Sequence, residues 1–151
     1  MVQTPPAAPV LFDRALLQQR LARAARLGPV TFLRDRVAED MEERLSAVNR
    51  SFSDVAELWT PGEGSLPPAN FNSLTRITVA DSPDEALPLQ PLSFDLVVSA
   101  LALQFVNDLP GTLVQIRRAL KPDGLFLAAL VGGETLTELR QSFAAAESET
   151  T

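Results

Sequence analysis

The chain has 151 residues, 46% of them apolar, and it contains no histidine, cysteine or tyrosine. This length suits one domain, and the missing residues exclude an imidazole base, a thiolate nucleophile and a Cys/His zinc site. Acid–base chemistry is therefore left to carboxylates, the single lysine, backbone groups or a bound cofactor.

The net charge of −6 is unevenly distributed along the chain. Residues 1–50 carry eight arginines against six acidic residues, whereas residues 51–151 carry five basic against thirteen acidic residues. Phosphate binding needs clustered positive charge, so we predict no nucleic-acid partner. No uncharged run approaches the roughly 20 apolar residues of a membrane span, so we predict none.

The first 50 residues read as a tail followed by two helices. Residues 1–10 hold three prolines and no periodic pattern, which predicts a loose tail. Asp13 can cap a helix that ends near Leu27, before Gly28-Pro29, with an apolar stripe of Leu17, Leu21 and Ala25. A second helix is predicted over residues 31–50, with an inward stripe of Leu33, Val37, Met41, Leu45 and Val48.

The arginine-rich, acid-free stretch of residues 14–26 has two interpretations. It is typical of an ordinary amphipathic helix, and it also suits a mitochondrial transit helix. We favour the ordinary helix, and with it a cytoplasmic location. Residues 11–50 then form an N-terminal helical segment.

From residue 51 onward, strand patterns alternate with helix patterns. Short apolar or β-branched runs predict strands at residues 54–59, 76–80, 94–101 and 125–131. Asp108 can cap a helix with Leu113, Ile116 and Leu120 inward, and a last helix over residues 134–147 has Leu136, Leu139 and Phe143 inward. This alternation predicts an α/β fold with an open parallel Rossmann-like sheet of about four strands over residues 51–151.

Two motifs about 25 residues apart carry a family resemblance. Residues 93–99 read SFDLVVS and residues 120–126 read LKPDGLF. Together with Phe12-Asp13-Arg14 and VGGETLTELR at residues 131–140, they resemble class I S-adenosylmethionine-dependent methyltransferases. The resemblance is narrowest to the group of BioC-type enzymes and mitochondrial complex I assembly methyltransferase-like proteins. It implies methyl transfer from S-adenosylmethionine to a small molecule or protein acceptor, on a seven-stranded fold of which this chain holds a truncated version.

The resemblance also implies cofactor-binding positions. Glu57 matches the acid at the end of the family's first strand, and Asp84 or Glu85 matches the acid beside the adenine ring. Ser99, Ala100 and Leu101 match the positions that face the methionine end of the donor. As alternatives to these cofactor contacts, Asp84 and Glu85 are interpreted as loop carboxylates, and residues 99–101 are interpreted as the buried end of a strand. We assign no catalytic residue and no metal site, since Asp108 reads as a helix cap.

Three features depart from the family pattern. Trp59 stands where the first glycine of the cofactor turn belongs, and Pro61 removes a backbone donor. Only about 20 residues separate the first strand from the Asp84 turn, so one strand is expected to be missing and Asp81 is an ambiguous ribose ligand. The strand at residues 125–131 lacks the family's two further strands at the sheet edge, which predicts pairing with another chain, local cover or a fragment. These departures favour, as the alternative to an enzyme, a non-catalytic scaffold or assembly factor of the respiratory complex I type.

Overall fold

The computed structural model describes residues 10–28, 30–62 and 71–149. Most of the predicted loose tail, Pro29 and residues 63–70 of the predicted loop lie outside the described residues. No helix in the described part of the chain is long and apolar enough to cross a membrane.

The centre of the fold is one parallel sheet. Its strands are β1 (Asp54–Leu58), β2 (Ser73–Ile77), β3 (Phe94–Ala100) and β4 (Leu120–Ala129), in the order β2-β1-β3-β4. β1 pairs with β2 on one side and with β3 on the other. The predicted open, four-stranded, Rossmann-like α/β sheet is confirmed.

Four helices accompany the sheet: α1 (Arg14–Leu27), α2 (Phe32–Ser46), α3 (Leu109–Ala119) and α4 (Thr137–Glu149). Asp13 caps α1 by accepting from the Leu16 amide at 2.9 Å, and Asp108 caps α3 by accepting from the Gly111 amide at 2.9 Å. Both caps agree with the sequence, since a carboxylate satisfies an amide that has no partner inside the helix.

Two apolar layers lie on opposite faces of the sheet. Ala56 and Leu58 of β1 pack on the side of α1 and α3, whereas Val55 packs with Met41 and Leu45 of α2. This alternation follows from the two-residue period of a strand. The predicted division of the chain into residues 11–50 and 51–151 stays a prediction.

Several predicted inward positions are wrong. Leu136, Leu139 and Phe143 of the last helix are exposed, with Phe143 at 62%, because no described element packs over that side of α4. In α3 the inward residues are Thr112, Ile116 and Ala119, and Leu113 is exposed. Ala25 of α1 and Leu33 and Val48 at the two ends of the α2 stripe are exposed as well.

The β4 strand begins earlier than predicted. Its first residue pairs with Phe94, and the ladder then shifts register, so that residues 121–124 bulge before Leu125 pairs with Leu96. Asp123 within the bulge has a left-handed φ of 64°. Within the described residues β3 is the only strand beside β4, and the predicted cover of this edge stays a prediction.

Candidate functional site

The strand order reverses between β1 and β3. The chain passes from β1 outward to β2, and from β3 outward to β4 on the other side. In open α/β sheets ligands bind beyond the carboxyl ends of the strands at such a switch point. The residues that follow β1, β2 and β3 therefore define the place to search.

A cavity of about 400 Å³ lies at this place. Trp59 and Thr60 after β1, Thr78 after β2 and Leu101 after β3 form its floor, and side chains of α1 and α2 form its walls. A larger open depression, of about 810 Å³, follows the exposed side of α1 alone and includes no strand end. The switch-point cavity is therefore the candidate site.

Trp59 takes the place of the expected glycine and keeps a glycine-like backbone. Its φ is 55°, a left-handed value that a bulky side chain rarely adopts. The side chain is 3% exposed, and its indole N–H donates to Ser82 Oγ at 2.6 Å. The guanidinium carbon of Arg14 lies 4.8 Å from the ring centroid. The indole thus belongs to the buried core and also lines the cavity.

Glu57 lies within β1, beside the cavity and not in its lining. Its side chain is 1% exposed, and Oε2 accepts two hydrogen bonds from Arg76, at 2.8 and 3.0 Å. The other carboxylate oxygen is buried and has no hydrogen-bond partner among the residues that the structure describes. Arg76 is the partner that sequence reasoning missed, because only the β1–β2 register places it opposite Glu57.

Asp84 and Glu85 have different environments. Asp84 is exposed and accepts from the Ala86 amide at 3.2 Å, which is a turn-forming contact. Glu85 is buried, has a φ of 65°, and accepts from the amides of Asn107 and Asp108 at 2.8 and 3.0 Å. Neither side chain lines the cavity, and their contact with an adenine ring stays a prediction.

Residues 99–101 tie the ends of β1 and β3 together. Ser99 Oγ donates to the Leu58 carbonyl at 2.9 Å, and the Ala100 amide donates to Thr60 Oγ1 at 3.3 Å. Leu101 has a φ of 56° and lines the cavity. Of the six predicted cofactor positions, only Leu101 contributes directly to the cavity wall, and the role of all six in binding stays a prediction.

Asp81 fixes a polar part of the floor. Its carboxylate accepts from the amide and the hydroxyl of Thr78, both at 2.7 Å. The Thr78 hydroxyl and amide lower the pKa of Asp81. The carboxylate is therefore hydrogen-bonded to Thr78, which lines the cavity.

Arg14 and Arg34 are cavity-side residues that the sequence did not identify as such. Arg34 of α2 lines the cavity and forms an ion pair with Asp35 at 3.1 Å. Burial lowers the pKa of Arg14, and the carboxylate of Glu85, 3.8 Å away, opposes this effect. No spacing signal could have identified either arginine, because their positions depend on how α1 and α2 pack on the sheet.

In the part of the chain that the structure describes, no three or more Asp or Glu side chains are grouped so that they could hold a metal ion.

The fold defines the class as a Rossmann-like α/β domain with a cavity at its switch point. Residues 35–128 match the family model described as a methyltransferase domain. The chain therefore belongs to the methyltransferase-domain family, and the predicted resemblance is confirmed.

Named relatives agree with this assignment. The mitochondrial arginine-hydroxylase NDUFAF5 of Danio rerio is 35% identical over 92% of this chain and 50% of its own length. The Mus musculus protein of the same name is 36% identical over 97% of this chain and 49% of its own length. The malonyl-(acyl-carrier protein) O-methyltransferase of Gallionella capsiferriformans is 52% identical over 39% of this chain and 20% of its own length. The chain thus spans about half the length of the NDUFAF5 relatives.

Proposed function

We propose that this methyltransferase-like chain binds S-adenosylmethionine in the switch-point cavity. The observation that carries the proposal is the position of that cavity, beyond the carboxyl ends of β1 and β3 and between them and the two N-terminal helices. Ligands of open α/β sheets bind at this position.

The residues of the cavity fit the chemical parts of the cofactor. Leu21, Val79 and Leu101 offer apolar surface for a nucleoside ring, and the guanidinium of Arg34 suits the methionine carboxylate. The hydroxyl groups of Thr60 and Thr78 add polar groups on the floor. Glu57 lies behind the floor and outside the lining, and its Oε1 has no hydrogen-bond partner among the described residues.

In this proposal the cofactor and the protein supply different parts of the reaction. When bound, the cofactor supplies an already electrophilic methyl group on a sulfonium. The chain's own task is to bind, to align the acceptor and to exclude water, and α1 and α2 provide the exclusion by covering the strand ends. None of these tasks requires histidine or cysteine.

Binding is tested by calorimetry with S-adenosylmethionine and S-adenosylhomocysteine. Ala24 of α1 lines the cavity, whereas Ala22 on the same helix does not. We expect Ala24→Trp to abolish binding by filling the cavity and Ala22→Trp to preserve it. No heat from the wild-type chain at millimolar ligand overturns the proposal.

The acceptor is tested separately. The Danio rerio and Mus musculus relatives are named arginine hydroxylases, so a peptide arginine is the first acceptor to try. Mass spectrometry of the peptide distinguishes an added methyl group from an added oxygen.

The alternative function is a scaffold that assists assembly of respiratory complex I without using the cofactor. Trp59 favours it, because the indole occupies the position of the cofactor turn and is held there by Ser82 and Arg14. Trp59→Gly is the discriminating variant. Cofactor binding that appears only in Trp59→Gly supports the scaffold, whereas tight binding by the wild-type chain removes its main support.

Two cellular locations are proposed for the protein. A cytoplasmic location follows from the ordinary-helix interpretation of residues 14–26, whereas the NDUFAF5 relatives are named mitochondrial. Fractionation of cells that express the tagged full-length protein separates the two.

A further inference from the structure

Arg14 contacts two residues whose backbones have a left-handed conformation, Trp59 and Glu85. Trp59 and Glu85 have φ values of 55° and 65°, and neither is a glycine. Arg14 stacks on the Trp59 ring at 4.8 Å, and its Nε lies 3.8 Å from Glu85 Oε1. Residues held in such sparsely populated conformations concentrate at ligand clamps and switch regions.

A third contact closes a ring of interactions. Arg14 Nη2 donates to the Ser82 carbonyl at 2.9 Å, and the Ser82 hydroxyl accepts from the Trp59 indole at 2.6 Å. Arg14 therefore holds the indole from its face, while Ser82 holds it from its edge. The arginine side chain is only 10% exposed, and among the described residues its buried Nε has no hydrogen-bond partner and only the ion pair with Glu85.

The remainder of α1 packs on the sheet through Leu17 and Leu21, which lie partly buried against the core. No residue of the helix is fully buried, and arginines 20, 23 and 26 are exposed. Beyond Arg14, Gln18 donates to the Val79 carbonyl at 3.1 Å, and the Leu11 and Phe12 amides just before the helix donate to Asn107 Oδ1 at 2.7 and 2.8 Å. Yet Leu21, Ala24 and Ala25, farther along the same helix, form part of the cavity wall.

We propose that Arg14 is a positioning residue that fixes both the Trp59 indole and helix α1 as walls of the switch-point cavity. Its first-turn contacts set the place of the helix, and the helix then presents Leu21 and Ala24 to the ligand. Loss of Arg14 removes the cation over the ring and releases the helix from Ser82 and Glu85. The identity of the ligand, S-adenosylmethionine or its product, rests on the proposed function.

The chain carries its own optical probe for this arrangement. Trp59 is the single tryptophan and there is no tyrosine, so ultraviolet-excited emission reports on the cavity wall alone. We expect Arg14→Ala to shift the emission to longer wavelength and to raise acrylamide quenching severalfold. Tryptic cleavage after arginines 20, 23 and 26 should accelerate in parallel, because the helix is released.

The controls separate positioning from folding. Arg23→Ala removes an exposed arginine from the same helix and should leave emission and quenching unchanged. Arg14→Lys keeps a cation that can stack on the indole and should recover part of the wild-type emission. Far-UV circular dichroism verifies that the sheet is intact in each variant.

Ligand titration completes the test. We expect Arg14→Ala to weaken S-adenosylhomocysteine binding roughly tenfold, because a wall that is formed in only about a tenth of the molecules raises the apparent Kd by that factor. The inference is overturned if Arg14→Ala matches Arg23→Ala in quenching and in cleavage after arginines 20 and 26, or if quenching changes while affinity does not. If the wild-type chain binds no S-adenosylhomocysteine, the proposed function fails, and the ligand-free quenching and proteolysis still decide whether Arg14 holds the wall.

Discussion

At the residue scale, the ion pair between Glu57 and Arg76 holds a charge that is costly to bury. The carboxylate is almost completely buried, and within the described part of the chain one of its oxygens has no hydrogen-bond partner, so Arg76 provides much of the compensation for burying the charge. Arg76→Met leaves this charge buried, and we expect a loss of about 3 kcal/mol in the free energy of unfolding. Urea denaturation measures the loss.

The matched variants decide whether charge is the cause. Arg118→Met removes an exposed arginine of α3 and should change stability little. Glu57→Leu combined with Arg76→Met removes both charges and should recover much of the loss. A double variant no more stable than Arg76→Met contradicts the interpretation.

A second charged group lies at the opposite end of the strands. Lys121 Nζ donates to Asp54 Oδ2 at 2.7 Å and to Asp95 Oδ2 at 3.3 Å. The hydrogen bond from Lys121 is the main cause of the lowered pKa of Asp54. Burial acts to raise the pKa of Asp95, but the amides of Asp54 and Ser53, together with Lys121, hold it below its usual value.

These shifts predict a pH dependence of stability. A carboxyl group with a depressed folded-state pKa stabilises the fold above its unfolded-state pKa of about 3.9, and this contribution is lost as the pH falls through the folded value. We expect Lys121→Met to be less stable than wild type at pH 6 and to lose less stability on acidification. Urea denaturation across the acidic range measures both effects, with Arg118→Met as the control. Parallel pH profiles of wild type and Lys121→Met contradict the prediction.

At the scale of an element, the start of α3 depends on a glycine inside the helix. A Cβ at Gly111 would overlap the carboxylate of Asp108, which accepts from the Gly111 amide as the cap. Alanine favours helix by about 1 kcal/mol over glycine, but here it displaces the cap, which contributes a similar amount. The glycine is therefore required by the cap and not by a left-handed φ.

A double-mutant cycle tests this coupling. Asp108→Ala should cost about 1 kcal/mol in the wild-type background and close to nothing in the Gly111→Ala background. Thermal or urea unfolding gives the four free energies. Equal costs in the two backgrounds would show that the cap and the alanine coexist.

At the scale of the whole molecule, a ligand in the switch-point cavity should stabilise the fold by mass action. S-adenosylhomocysteine at a hundred times its Kd adds about 2.7 kcal/mol. For a chain of this size that corresponds to a rise in Tm of about 5–10 °C. Differential scanning fluorimetry should show the rise in wild type and Ala22→Trp and none in Ala24→Trp. A rise in Ala24→Trp equal to that of wild type would place the ligand elsewhere.

The sequence predicts the central architecture well and the surroundings of the cavity poorly. Buried parallel strands read as continuous apolar runs, which is why residues 94–100 and their neighbours were identifiable. Helix caps such as Asp13 and Asp108 were identifiable because they depend on local chemistry alone. The helical periodicity predicts Phe143 inward, but Phe143 is exposed, because periodicity does not show whether a partner element is present.

The candidate site depends on contacts between residues far apart in the chain. Arg14 meets Glu85 across 71 positions, and Arg76 meets Glu57 through a strand pairing that local sequence does not specify. The sequence motifs place Ser99 and Leu101 at the end of a strand, but the left-handed φ of Leu101 depends on the tertiary structure around it. The family pattern identified Trp59 as an anomaly, whereas its partners Ser82 and Arg14 required the fold.

The direct pairing of β1 with β2 sets a length scale for whatever enters the cavity. Neighbouring parallel strands lie about 4.8 Å apart, and two such spacings separate Leu101 after β3 from Thr78 after β2. The distance between the two residues is therefore two strand spacings, or about 10 Å, whereas an additional intervening strand would make it about 14 Å. A molecule that contacts both residues must therefore carry two groups that lie about 10 Å apart when it is bound.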